Sequence, residues 1–223
     1  KTLDEIGIRI VSPCYRTVNA FGGGFAFPNA RLTEKGRDFI LDACRWSIAV
    51  DLSHCGHTTA RDILTVIPEL GVLASHGGCY SIYQNERNLP DDVLKGIADK
   101  GGIIGIYGLT FGLDATDNSL RPFMNHLDYA LSLCGEDAVC IGTDGWHRAV
   151  PPAEWEKHYQ WLAEKLKGEE IGARFPDHPV ELNVESPMSV IREVLEKEYH
   201  PRVVDKIMGE NARNFLKRSF PFR

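Results

Sequence analysis

Apolar residues in this chain fall into two kinds of run. Some are short and continuous: Gly7 to Pro13, Ile48 to Ser53, Gly71 to Ser75, Ile103 to Gly108 and Ala138 to Thr143. Runs of this length without alternation predict strands covered on both faces, the habit of a parallel sheet. Between them apolar residues recur every three or four positions, the period of an amphipathic helix. Phe39, Ala43 and Trp46 share one face of a helix near Thr33 to Trp46. The next segment carries a Thr59-x-x-Asp62 capping signature and runs to Ile67, where Pro68 stops it. A third helix starts at Pro90, whose missing N–H suits a first helical position, with Asp91 and Asp92 complementing the dipole. A fourth covers Leu120 to Leu133.

After the last strand, helix follows helix. Trp155, Tyr159, Leu162 and Leu166 form one stripe that Gly168 ends, the polar stretch from Glu169 to Glu185 reads as a loop, and Ser186-Pro187 opens a helix through Ile191 and Leu195. The tail from Pro201 to Phe215 reads as short helices packed outside the sheet. Strand-helix alternation predicts an α/β fold with a parallel sheet, either doubly wound or closed into a TIM-like (β/α)8 barrel. Five strands against the barrel's eight leave two expectations: an open sheet, or a barrel whose first strand-helix units, roughly three, are absent from this chain.

At 223 residues and 43% hydrophobic, residues 1–223 make one domain with a full core. The net charge of -6, with basic and acidic residues interspersed, excludes the stripe of a nucleic-acid binder and points to small solutes. Six cysteines contain no C-x-x-C pair and sit in apolar runs, as reduced core thiols do. This favours a cytoplasmic location and leaves a periplasmic or exported one open. No run reaches the ~18 apolar residues of a membrane span. The chain opens at Lys1 with no signal peptide and no initiator methionine, so the expectation is that something has been removed or left out.

Two strands end in histidine: Asp51-Leu52-Ser53-His54 and Ala74-Ser75-His76. Parallel strands joined by a crossover helix have their carboxyl ends side by side, so His54 and His76 are placed to share one metal ion. Hydrogen-bonded histidines at strand ends are the plainer alternative. His57 reads as a solvated residue at the next helix start. Asp144 closes a third strand, where it accepts a proton or holds an ammonium, or else caps the turn at Gly145. Arg87 suits bidentate binding of a carboxylate, against surface pairing with Glu86 or Asp91. Tyr15 lies beyond the first strand, able to face the same mouth. Gly22-Gly23-Gly24 lacks phosphate-loop spacing and reads as a flexible turn.

In order, Asp-Leu-Ser-His54, Ala-Ser-His76, Glu-Arg87-Asn-Leu-Pro-Asp-Asp and Ile-Gly-Thr-Asp144 resemble the membrane (renal) dipeptidase family of zinc metallopeptidases. The likeness extends from about Ile6 to Phe215. It includes Leu32-Thr33-x-x-Gly36, Gly101-Gly102-Ile103-Ile104-Gly105 and the closing Met208-Gly209-Glu210-Asn211-Ala212-Arg213-Asn214-Phe215. The resemblance implies a (β/α)8 barrel with two zinc ions that hydrolyses dipeptides through a metal-activated hydroxide, often with a D-residue at the C-terminal side. It implies His54 and His76 on the second zinc, Arg87 on the substrate carboxylate, Asp144 as the acidic proton-handling group at the last strand, and a homodimer. Tyr15 stands where mammalian members have histidine and bacterial members often have tyrosine.

The family's His-x-Asp pair for the first zinc and its bridging glutamate are not in this sequence. Their absence coincides with the strand shortfall, as expected if the chain covers strands four to eight. Gly145-Trp146 follows Asp144 where the family has x-Asp-Gly. Two further readings stand beside the enzyme: a degenerate barrel that binds amino-carboxylate ligands, and a related metal-dependent amidohydrolase or lactonase.

Overall fold

The computed structural model describes residues 2–117, 119–144, 157 and 187–220. All five predicted strands form within these residues: β1 (Ile10–Val11), β2 (Ala49–Asp51), β3 (Val72–Gly77), β4 (Ile104–Ile106) and β5 (Val139–Ile141). They make one sheet in the order β1-β2-β3-β4-β5, every neighbouring pair parallel. A doubly wound sheet reverses direction at a switch point. Here each crossover moves one place in the same direction, which is the winding of a barrel wall.

Preceding β1 is a short helix, α1 (Thr2–Glu5); the crossovers are α2 (Glu34–Arg45), α3 (His57–Val66) and α4 (Asp91–Asp99), and between β4 and β5 lie α5 (Thr110–Leu113) and α6 (Leu120–Cys134). Val50, Val72, Ala74, Ile104, Ile106 and Val139 face these helices and join Ile40, Ile63, Leu94, Ile97, Phe123 and Leu127 in the main core. The alternate residues Ala49, Leu73, Ile103 and Cys140 face the other way, against Phe215 of the C-terminal helix Asn211–Ser219. That helix lies across the amino ends of the strands, with Ser219 Oγ donating to Leu70 O and Asn211 Nδ2 donating to Val139 O. Both faces of β2 to β5 are therefore covered near the amino ends. The carboxyl ends are left for chemistry.

Local chemistry explains the element boundaries. Thr33 caps α2, its Oγ1 accepting from Gly36 N at 2.9 Å. The capping expectation for α3 is corrected: the helix begins earlier, at His57 with Gly56 as its cap, and Thr59 lies inside it. Thr59 Oγ1 accepts from Gly23 N and donates to Ala30 O, while Asp62 accepts from Arg31 and from Leu32 N. Both residues staple the 14–33 loop to the helix. Pro90 is the cap of α4, one place before its predicted position. Gly22, Gly23 and Gly24 are buried, and a Cβ on Gly23 or Gly24 would lie 2.5 Å from Ala30 or from the Tyr15 carbonyl. They form a packed crossing, not the flexible turn expected. Pro187–Glu198 and Pro201–Asp205 are helical as read, and the chain then kinks at Gly209 (φ 147°) within Lys206–Glu210 before the last helix. Trp155, Tyr159, Leu162, Leu166, Gly168 and the 169–185 loop lie outside the described residues, as do Gly145, Trp146 and Ser186. Among the described residues no helix is long and apolar enough to cross a membrane.

One buried histidine ties the upper loops together. His126 on α6 accepts from Cys79 N at Nδ1 (2.8 Å) and donates from Nε2 to Leu113 O (3.0 Å). Burial pushes its pKa down to about 4, against 6.5 for a solvated imidazole. The unfolded chain binds the proton first, so this histidine's contribution is complete above pH 6.5 and is lost as pH falls from 6.5 toward 4. The full effect is on the order of 3 kcal/mol. Thermal melts should show His126→Asn less stable than wild type at pH 7, and losing less on acidification to pH 4.5. Parallel pH profiles for the two proteins would contradict this assignment.

Candidate metal and substrate site

At the carboxyl end of β2 the chain continues through Leu52 and Ser53 to His54, and β3 carries His76 next to its last residue. Strict alternation would turn His76 to the helix side with Ala74. It does not, because β3 holds one extra residue: Ala74 pairs with Ile104 but Gly77 with Ile106. Bulges of this kind re-aim a side chain. The bulge needs room beside it, where a Cβ on Gly105 of β4 or on Gly142 just past β5 would come within 2.2 or 1.9 Å of the Ser75 carbonyl oxygen.

Asp51, 6% exposed, joins the two strand ends. Its Oδ1 accepts from Ser53 N (3.1 Å), Ser53 Oγ (2.6 Å) and Ser75 N (3.0 Å), and its Oδ2 from Ser75 Oγ (2.5 Å). His76 N donates to Ser53 Oγ at 3.0 Å, and the Ser75 hydroxyl meets His76 Nδ1 at 2.8 Å. The imidazoles then face one another, with His54 Nε2 and His76 Nε2 2.9 Å apart. Two nitrogens on one tetrahedral zinc, at 2.0–2.1 Å each, stand about 3.4 Å apart. The donor set therefore fits half of such a sphere. Among the described residues no group of three or more histidine, cysteine or acidic side chains converges to complete it.

Electrostatics suits these rings to a cation. Burial, then the charges of Arg87 and His76, push the His54 pKa down to about 3. Burial also lowers that of His76, with Asp144 opposing and Arg87 adding to the shift. Both rings are neutral at pH 7, the form that coordinates metal.

The other candidates surround the pair. Tyr15, 68% exposed, lays its ring on His54 at 4.3 Å between centroids. Asp144 Oδ2 stands 3.8 Å from His76 Nε2 on the open side, with a left-handed φ of 53° that Asp tolerates. Arg87 is 7% exposed, so surface pairing with Glu86 or Asp91 is overturned. Its guanidinium donates to Ser53 O and sits 5.2 and 5.8 Å from the rings of Phe25 and Tyr107. Among the described residues no carboxylate pairs with it. Its neighbour Asn88 is anchored by donating to Tyr83 O and Gly112 O and accepting from Tyr107 OH. His57 is half-buried with Nε2 3.0 Å from Asn88 O, not solvated as expected. Asp51, Ser53, Ser75 and Asn88 escaped the sequence reading, although the repeated Ser-His pairs at 53–54 and 75–76 carried the signal.

The chain resembles proteins of one kind. Residues 1–175 match the model of the membrane dipeptidase family, peptidase family M19. A dipeptidase, aclJ, of Aspergillus oryzae is 26% identical over 219 residues, covering 96% of this chain and 45% of that protein. A Klebsiella pneumoniae protein described as uncharacterized, from the pqqA 5' region, is 29% identical over 150 residues, or 62% of this chain and 55% of its own length. This chain thus spans about half the length of these curated relatives. A Rhodobacter sphaeroides metallopeptidase, solved with a phosphinate mimic of the dipeptide L-Ala-D-Ala, superposes with a TM-score of 0.75 at 22% identity, over 98% of this chain and 58% of that one. An amidohydrolase of Pseudomonas aeruginosa gives 0.79 at 27% identity, over 98% and 66%. With its α/β fold, its parallel five-stranded sheet and a family match over most of its length, this chain belongs to the membrane dipeptidase family.

Proposed function

We propose that this chain is the larger part of a (β/α)8 barrel in a zinc-dependent dipeptidase, and that His54 and His76 hold one of its metal ions. The convergence of two neutral Nε2 atoms at the carboxyl ends of adjacent strands carries the reading. The remaining ligands, and a second ion, would come from residues other than those described. A divalent ion held there supplies Lewis-acid polarisation of the scissile carbonyl and a lowered pKa for water.

The chain's own residues do the rest. Arg87, buried without a carboxylate partner among the described residues, receives the substrate's C-terminal carboxylate. Asp144, on the open side of His76, takes the proton from the attacking water and passes it to the leaving amine. Tyr15 covers His54 and borders the pocket from the solvent side. Family membership supports hydrolysis of a dipeptide, and a mimic with a C-terminal D-residue occupies the Rhodobacter relative.

Two experiments on the complete protein containing this chain test the reading. Chelation should abolish dipeptide hydrolysis and added zinc restore it, while His54→Ala and His76→Ala each bind less zinc and lose turnover. Full turnover by metal-stripped protein would refute the proposal; zinc and dipeptide binding without turnover would favour the degenerate binding protein. Arg87→Gln should raise KM for dipeptides roughly 10- to 100-fold, the value of a hydrogen bond to a charged group. Its effect on kcat should be smaller, and dipeptide amides should lose little. An equal loss for acid and amide substrates would remove Arg87 from that role.

A further inference from the structure

We propose that Asp51, acting through the Ser75 hydroxyl, is a positioning residue that fixes the proton of His76 on Nδ1 and leaves Nε2 as a bare lone pair. A carboxylate accepts hydrogen bonds and a serine hydroxyl has one proton to give. Ser75 Oγ lies 2.5 Å from Asp51 Oδ2 and 2.8 Å from His76 Nδ1. The hydroxyl proton goes to the carboxylate, so the serine oxygen accepts from Nδ1–H. The ring's other nitrogen, Nε2, then carries no proton, and it is the atom that faces His54 Nε2 at 2.9 Å.

The same logic separates the two histidines. With His76 Nε2 an acceptor, His54 Nε2 is the donor between them in the metal-free protein. His54 Nδ1 is then an acceptor, and it is the one buried side-chain nitrogen or oxygen without a hydrogen-bond partner among the described residues. His76 is thus held ready for a cation by the linked Ser75 hydroxyl and Asp51 carboxylate, whereas His54 must move its proton from Nε2 to Nδ1 to coordinate. Histidine ligands are commonly oriented by a carboxylate or carbonyl bonded directly to the second nitrogen. Here a serine stands between them, because Asp51 also serves both strand ends.

The relay has a direction that one isosteric change reverses. Asp51 Oδ1 accepts from three donors, Ser53 N, Ser53 Oγ and Ser75 N. In Asp51→Asn the amide oxygen must keep that place, which turns the NH2 toward Ser75 Oγ. The serine then donates to His76 Nδ1, and the ring proton moves to Nε2, where it blocks the cation.

Two-bond proton–nitrogen NMR spectra of the 15N-histidine-labelled complete protein, stripped of metal, read this directly. The His76 signals are identified by their loss in His76→Asn. Wild type should show the Nδ1–H form, Asp51→Asn the Nε2–H form, and Ser75→Ala a mixture. Zinc affinity should fall about 10- to 100-fold in Asp51→Asn, as for other residues behind a ligand. An Nε2–H tautomer in wild type overturns the proposal, as does an Asp51→Asn protein that is less stable but keeps Nδ1–H. If Asp51→Asn does not fold, wild type and Ser75→Ala still decide. The affinity arm rests on the metal reading above; wild-type protein that binds no zinc through His54 and His76 would defeat that reading and leave the tautomer result standing on its own.

Discussion

A carboxylate buried at the seam between β2 and β3 determines where the two imidazoles go. An interior carboxylate without hydrogen bonds costs several kcal/mol. Asp51 avoids that cost with four donors, all of them from Ser53 and Ser75. Each serine immediately precedes a histidine, so satisfying the carboxylate brings the two Ser-His peptides into one register. The convergence of His54 and His76 is thus a consequence of solvation inside the protein.

The seam would not close on a regular sheet. A parallel ladder in strict alternation sends Ala74 and His76 to the same, helix-facing side. One extra residue in β3 breaks the alternation after Ala74, and Gly105 and Gly142 leave space for the Ser75 carbonyl that the bulge displaces. Gly105 lies within β4, where glycine is unfavourable in isolation, and Gly142 just past the end of β5. Their value is the close approach of backbone that any side chain would forbid. The covered amino ends make this irregularity affordable, since Phe215 and the strand residues beneath it bury the other end of the sheet.

Much of this was legible in the sequence, for particular reasons. Strands β2 to β5 are continuous apolar runs because both faces are buried, whereas Ile10 of β1 is exposed; Thr33 marks its helix because its hydroxyl meets a free backbone N–H. The strand ends carrying His54, His76 and Asp144 follow from parallel winding. Other features depend on partners distant in sequence. Thr59 and Asp62 look like a cap, yet backbone groups of the 22–32 loop claim both side chains. Arg87 looks like a surface residue beside Glu86, and only the fold shows it between Phe25 and Tyr107. The bulge leaves no local mark at all, because the room for it comes from Gly105 in β4 and Gly142 just past β5. Asp51 was hidden for a different reason: within an apolar run, an acidic residue shows its purpose only when its four donors are known.

The charges of the site explain why it needs anions from two directions. Burial first, with the charge of Arg87 adding to it, disfavours protons on His54 and His76. A divalent cation on the same rings would be repelled by that guanidinium as well. Coordination there therefore requires negative charge close by, and the described residues offer Asp51 behind His76 and Asp144 before it. Asp51 is wholly engaged by the serines, and Asp144 stands on the open side. Among the described residues no carboxylate pairs with Arg87, and in the proposed function its partner is an anionic group from solution. A small molecule with a carboxylate to meet Arg87 and a carbonyl to meet the cation would relieve both at once, and a dipeptide carries these two groups on adjacent residues. If the proposed assignment holds, the buried guanidinium of Arg87 would oppose an ion on these rings in the absence of substrate and would favour it once an anionic substrate is bound, which would couple the two binding steps thermodynamically.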